Sequence, residues 1–289
     1  MVHPDGSAVP ALPDLRFTAV DAKALGLQGS RLSYMEAGAG PATVLAMHGI
    51  GANSTGWRFL FPGLAGMARV IAWNAPGYFL SDSFAAEAPP AEAYADVAVA
   101  LLDALGIEGP VHVVGSSFGS MLGACLAARH PARVASLALI GTSRGQRWKG
   151  PEGRAQMLAM RAASVAEGGV ALARTRSHKL ISPSAAPEVL AMVQGMVAAT
   201  DARGLMQAAR CTDQVDVIAD FAPGITAPTL AITGTDDAVN PPGDVGAPIA
   251  AAITGARFVS PPGIGHLPEI EAPALTLALL RAHFFGARA

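Results

Sequence analysis

The sequence predicts an α/β protein, with a mostly parallel eight-stranded sheet and helices on both faces. Three observations lead there. Short apolar runs alternate with helix-like stretches along 289 residues, the pattern of strands joined by helical crossovers. The runs lack polar alternation, so both faces of the sheet are covered. Gly115-Ser116-Ser117-Phe118-Gly119 stands between a β-like run, Val111-His112-Val113-Val114, and a helix-like run. A tight strand-to-helix turn there would push its central serine into a strained, exposed position.

The elements follow in order. Residues 16–20 and 31–36 read as an opening pair of strands. Residues 44–47 form a buried strand that ends at His48-Gly49-Ile50-Gly51, and residues 69–73 form one that ends at Asn74-Ala75-Pro76-Gly77. A helix over 91–105 leads to the strand before Gly115, and 134–140 is the sixth strand. Strands at 229–233 and 257–260 and a helix over 274–285 close the chain. Residues 143–223 break this rhythm. They hold no convincing β-like run, are rich in Ala, Met and Arg, and carry Gly168-Gly169, Ser182-Pro183 and Ala186-Pro187 as helix boundaries. They read as a helical insert after the sixth strand, dividing one core domain into 1–142 and 224–289.

Bulk composition narrows the class. Hydrophobic residues make up 51% and charged ones 15%, which suits a well-buried globular enzyme and argues against disorder. A net charge of −2 supplies no field to recruit nucleic acid or an anionic membrane. No apolar run approaches the roughly 18 residues of a membrane span. Residues 1–15 show neither the basic start nor the apolar block of a secretory leader. Cys125 and Cys211 do not make a disulfide framework, and no Cys/His spacing suggests a metal. The expectation is a cytoplasmic protein, a monomer or homodimer, with no cofactor, metal, nucleic-acid or membrane partner.

A serine hydroxyl is a weak nucleophile until a base takes its proton and a third group orients that base. With Ser117 as nucleophile, the acid and the histidine belong after later strands, in that order. The strand at 229–233 is followed by Gly234-Thr235-Asp236-Asp237, and the strand at 257–260 by Gly263-Ile264-Gly265-His266-Leu267. His266 is therefore the candidate general base. Asp236 and Asp237 are adjacent in a loop and point in different directions, so one of them orients it. Backbone N–H donors for a developing oxyanion fall to Phe118, after the nucleophile, and to Ile50 in the glycine-rich loop after Met47. His48 is expected to hold that loop by hydrogen bonding. Trp57, Phe79, Met160 and Leu267 are the candidate substrate contacts.

These blocks together resemble the α/β-hydrolase superfamily over nearly the whole chain. The carriers are His48 to Gly51, Asn74-Ala75-Pro76-Gly77-Tyr78-Phe79-Leu80-Ser81-Asp82, the turn around Ser117, Gly234 to Asp237 with Pro241, and Gly263 to His266. The resemblance implies Asp237 as the acid and the insert as a helical cap. It also implies a small carboxylic ester or lactone as substrate, opened through an acyl-enzyme. Arg161-Ala162-Ala163-Ser164-Val165-Ala166-Glu167-Gly168-Gly169 is similar to enol-lactonases that open 3-oxoadipate enol-lactone. Some positions depart from common family patterns: Ser116 and Ser120 in the turn, Phe79 in place of a frequent glycine, and Leu267 where carbon–carbon hydrolases often carry tryptophan. A serine nucleophile also argues against the aspartate-dependent dehalogenases and epoxide hydrolases. Two alternatives stay open: carbon–carbon hydrolysis of a ring-fission diketone, and a non-catalytic relative that binds a small ligand. Residues 144–221 hold ten Lys/Arg against seven Asp/Glu, a net of +3, which suits a carboxylate-bearing substrate. Ordinary surface arginines explain the same count.

Overall fold

Eight strands form one sheet in the order β1-β2-β4-β3-β5-β6-β7-β8 in the computed structural model, which describes residues 2–286. The chain runs β1 (Leu15–Ala19), α1 (Ala22–Leu25), β2 (Arg31–Ala37), β3 (Ala42–Met47), α2 (Leu60–Leu64) and β4 (Ala68–Trp73). It continues through α3 (Ala91–Ala104), β5 (Val111–Ser116), α4 (Phe118–Arg129) and β6 (Val134–Ile140). After an all-helical stretch come β7 (Thr229–Ile232) and β8 (Arg257–Val259). β1 pairs antiparallel with β2 and β2 with β4, while β3 to β8 run parallel. The predicted mostly parallel eight-stranded sheet is thus borne out.

Its apolar runs face two ways because successive strand side chains alternate between faces. Leu45 and Met47 of β3 and Val113 of β5 join a core with Tyr94, Ala98 and Leu101 of α3 and Leu122 of α4. Val44, Ala46 and Val114 point the other way, into a core with Phe61 of α2 and with Leu280 and Phe284 near the C-terminus. Residues 118–127 of α4 are all buried. That explains why Cys125 is a core residue. Cys211, in a stretch that looks polar by sequence, is equally buried, and both thiols are free.

Between β6 and β7 the chain forms α5 (Pro151–Val165), α6 (Gly169–Arg176), α7 (Pro187–Ala198), α8 (Ala202–Gln214) and α9 (Val217–Asp220). Proline stands in the first turn of α5 and of α7, where its missing N–H costs nothing. Gly168, at φ +86°, separates α5 from α6. Asp201 caps α8 by accepting the N–H groups of Arg203 and Gly204. Val165, Leu172, Val193 and Val197 give this insertion its own apolar cluster, which continues into Leu267 and Ile270 beyond β8. The chain then passes through α10 (Ala247–Ala252) to β8, and ends in α11 (Pro268–Glu271) and α12 (Pro273–Phe285).

Candidate active site

Ser117 joins β5 to α4 with φ 53° and ψ −114°, a positive-φ conformation that L residues rarely adopt. Its N–H donates to Ile140 O at 2.8 Å, and Ser120 Oγ donates to Ser117 O at 2.6 Å. The flanking glycines are steric necessities. A Cβ at Gly115 would collide with the backbone of Gly119, and one at Gly119 with Met47 O. The turn can close only with hydrogens in both places.

His266 follows β8 in a loop anchored to the insertion. Its N–H donates to Leu180 O at 3.2 Å. Glu271 accepts from Gly265 N (2.9 Å) and Ser182 N (2.8 Å). His266 Nδ1 lies 2.7 Å from Asp237 Oδ2, and Asp237 Oδ1 accepts from Val239 N (2.9 Å) and Asn240 N (2.8 Å). A carboxylate held by backbone N–H groups on one oxygen keeps the other for the imidazole, so Nδ1 carries the proton and Nε2 is the free acceptor. Both side chains are buried. Asp236 is exposed and accepts instead from Ser182 Oγ (2.8 Å) and Thr235 Oγ1 (3.0 Å). The adjacent aspartates are thus separated by burial, with Asp237 inward on the imidazole. Ser117 Oγ makes no hydrogen bond to His266 in this structure, although both line one cavity of about 730 Å³.

The loop after β3 crosses directly over Ser117: a Cβ at Gly49 would stand 3.0 Å from Ser117 Cβ. The N–H groups of Ile50 and Phe118 find no acceptor within the described chain, and both residues line the cavity. His48 braces this loop. Its Nε2 accepts from Ala75 N at 3.0 Å, which puts the proton on Nδ1, and Nδ1 donates to Gly49 O at 2.8 Å. Full burial pushes its pKa down to about 4, so the ring is neutral and serves as a clamp between the loops after β3 and β4.

Of the four residues read as substrate contacts, Met160 and Leu267 line the cavity, and Trp57 and Phe79 do not. Trp57 is 2% exposed and packs with Met35, Leu60 and Phe61 beneath the sheet. Phe79 packs against the same cluster, in a turn pinned where Ser33 Oγ donates to Phe79 O at 2.5 Å. That an aromatic follows a strand end is visible in sequence, but the face of the sheet its side chain packs on is not.

Two groups were not singled out as individual site residues in the sequence. Ser116 Oγ donates to Glu269 Oε1 at 2.5 Å, and complete burial raises the Glu269 pKa to about 7. Nothing local marks this pair. Arg161 and Arg176 of the insertion line the cavity, with Arg161 only 9% exposed. The available signal was spacing: Arg161 stands four residues before Val165, and these two are the buried positions of α5. Among the described residues no group of three or more His, Cys, Asp or Glu is placed to hold a metal, and no helix is long and apolar enough to cross a membrane.

The sequence model of the alpha/beta hydrolase fold matches residues 42–273. The chain belongs to the α/β-hydrolase family. A 134-residue stretch is 35% identical to 2-hydroxy-6-oxononadienedioate/2-hydroxy-6-oxononatrienedioate hydrolase 2 of Pseudomonas putida, covering 45% of this chain and 46% of that protein. The match therefore spans less than half the length of that relative. A thermophilic esterase from Thermogutta terrifontis, solved with malate bound, superposes with a TM-score of 0.80 at 25% identity, over 93% of this chain and 97% of that one. The enol-lactonase of Burkholderia xenovorans LB400 superposes with a TM-score of 0.77 at 27% identity, over 90% of this chain and 97% of that one.

Proposed function

We propose that this hydrolase cleaves small carboxylic esters or lactones by acyl transfer through Ser117. The observation that carries the reading is the buried Asp237–His266 pair at 2.7 Å, in the same cavity as a serine held at positive φ. His266 Nε2 takes the Ser117 proton as Oγ attacks the carbonyl carbon, and the C=O electrons move onto oxygen. Asp237 holds the Nδ1 tautomer and stabilises the imidazolium. The Ile50 and Phe118 N–H groups stabilise the oxyanion, where each such donor is worth about 2.7–4 kcal/mol. Collapse of the tetrahedral intermediate expels the alkoxide, which takes the proton from Nε2. Water then enters, gives a proton to His266 and attacks the acyl-enzyme, and the carboxylate leaves as Ser117 is reprotonated. Residues 143–223 act as the cap that shapes the substrate pocket.

A second reading, carbon–carbon hydrolysis of a ring-fission diketone, draws support from the Pseudomonas putida relative. The same nucleophile would serve it, with a carbanion as leaving group. Hydrolysis of a short-chain 4-nitrophenyl ester panel and of ring-fission dienoates, by wild type beside Ser117→Ala, separates the two. Ester turnover that falls by at least about 10³-fold in Ser117→Ala supports acyl transfer. Turnover of dienoates alone moves the assignment to carbon–carbon cleavage. Tight ligand binding with no turnover of either class assigns the chain to the non-catalytic relatives.

A further inference from the structure

We infer that Arg161 and Arg176 form a carboxylate-binding subsite in the cavity of Ser117 and His266, so that the preferred substrate carries an acid group; this rests on the acyl-transfer reading above.

The arginines of the insertion are unequally paired. Arg144 is bidentate to Asp216, Arg147 pairs with Asp220, and Arg154 is bidentate to Asp213. Arg203 and Arg210 share Glu87. Each of these partly exposed arginines has a carboxylate. Arg174 is exposed to water. Arg161 is the most buried arginine of the insertion, and its Nε and Nη1 have no partner. Arg176 is half-buried and makes no ion pair among the described residues. The most buried arginine of the insertion and its neighbour Arg176 are therefore the unneutralised ones, the reverse of what folding alone favours, since a buried charge without a partner is strongly unfavourable.

The surroundings sharpen this. Burial and the nearby Arg176 charge pull the Arg161 pKa down to about 10. Lys149, also in the cavity wall, is lowered by burial and by Arg161. Three cationic groups thus converge on one lobe. The carboxylates in the lining, Glu167 and Asp236, form no ion pair with either arginine, and Asp213 is occupied by Arg154. A guanidinium offers a carboxylate charge-assisted N–H donors, and both Arg161 and Arg176 line the cavity. A neutral ester would leave both cations without a counter-charge, whereas an acid group on the acyl chain would pair with them and fix the carbonyl toward Ser117.

The test compares 4-nitrophenyl half-esters of succinate, glutarate and adipate with neutral 4-nitrophenyl esters of the same acyl length. Wild type is expected to favour the best acid over its neutral match by about 10- to 100-fold in kcat/KM, the range for charge-assisted hydrogen bonds. Arg161→Met and Arg176→Met should each lose most of that preference through KM, and Arg161→Lys should retain part of it. Calorimetric binding of monomethyl glutarate and dimethyl glutarate to Ser117→Ala provides a readout independent of turnover. Monoester binding that Arg161→Met abolishes, with no ester hydrolysed by wild type, supports the subsite and removes acyl transfer. Equal turnover of acid and neutral esters by wild type removes the subsite and leaves acyl transfer standing. If the methionine variants do not fold, the wild-type preference and the binding comparison decide alone.

Discussion

Asp237→Asn tests the arrangement around His266 most directly. Asn keeps Oδ1 as acceptor for the Val239 and Asn240 N–H groups, now at 2.9 and 2.8 Å. Its Nδ2 then occupies the position 2.7 Å from His266 Nδ1 that Oδ2 held. Two donors cannot face each other there, so the imidazole moves its proton to Nε2 and can no longer accept one from Ser117. The wrong tautomer costs about 10⁴-fold in kcat in a serine triad, or about 5.4 kcal/mol in barrier. Because the backbone bonds survive, the variant should fold, and thermal melting will check this. Asp236→Asn is the internal control. That side chain is exposed, and of its two hydroxyl partners one can still donate to the amide oxygen while the other can turn to accept from Nδ2, so activity should change by no more than about two- to threefold. The assay is initial rate on the best ester from the panel. Asp237→Asn retaining activity within tenfold of wild type, or Asp236→Asn showing the larger loss, would refute the assignment of the acid.

Two buried groups should tilt stability with pH in opposite directions. Glu269 has a folded pKa raised to about 7 by burial, so the native state holds a proton that the unfolded chain releases. Its contribution is present below the unfolded value and is lost as pH rises from about 4.5 to about 7, by up to about 3 kcal/mol. Urea unfolding at several pH values should show that loss in wild type and not in Glu269→Gln; parallel curves would sink the prediction. His48 has a folded pKa lowered to about 4, so its contribution is present above the unfolded value and is lost as pH falls from about 6.5 to about 4, again by up to about 3 kcal/mol. His48→Gln should remove this acid-side loss and lower kcat by loosening the loop that carries the Ile50 N–H. An unchanged acid-side slope in the variant would contradict the buried neutral clamp.

The parts of this protein legible in its sequence are those written in neighbouring residues. The eight strands follow from apolar runs and their punctuation, and strand ends agree with the structure to within one or two residues. The turn at Ser117 is legible because close approach of strand and helix admits only glycine at 115 and 119. The His266 loop and the loop carrying two aspartates were found by their place after late strands. Which aspartate meets the imidazole depends on burial, and burial depends on elements far away. The same holds for Trp57 and Phe79, which were read as substrate contacts but whose side chains pack beneath the sheet and not in the cavity. Ser116 and Glu269 are 153 residues apart, and their contact exists only once β5 and α11 are packed together. Arg161 and Arg176 were visible as a local excess of positive charge, but that Arg161 is buried and both are left without carboxylates is decided by how α5 and α6 fold over the site. By itself the sequence determined backbone conformation and the order of the chemistry along the chain, because turns, strands and helices are set by local sterics and apolar period. Tertiary packing decided which side of each element faces the cavity and which charges meet, because those depend on contacts between residues that no local pattern relates.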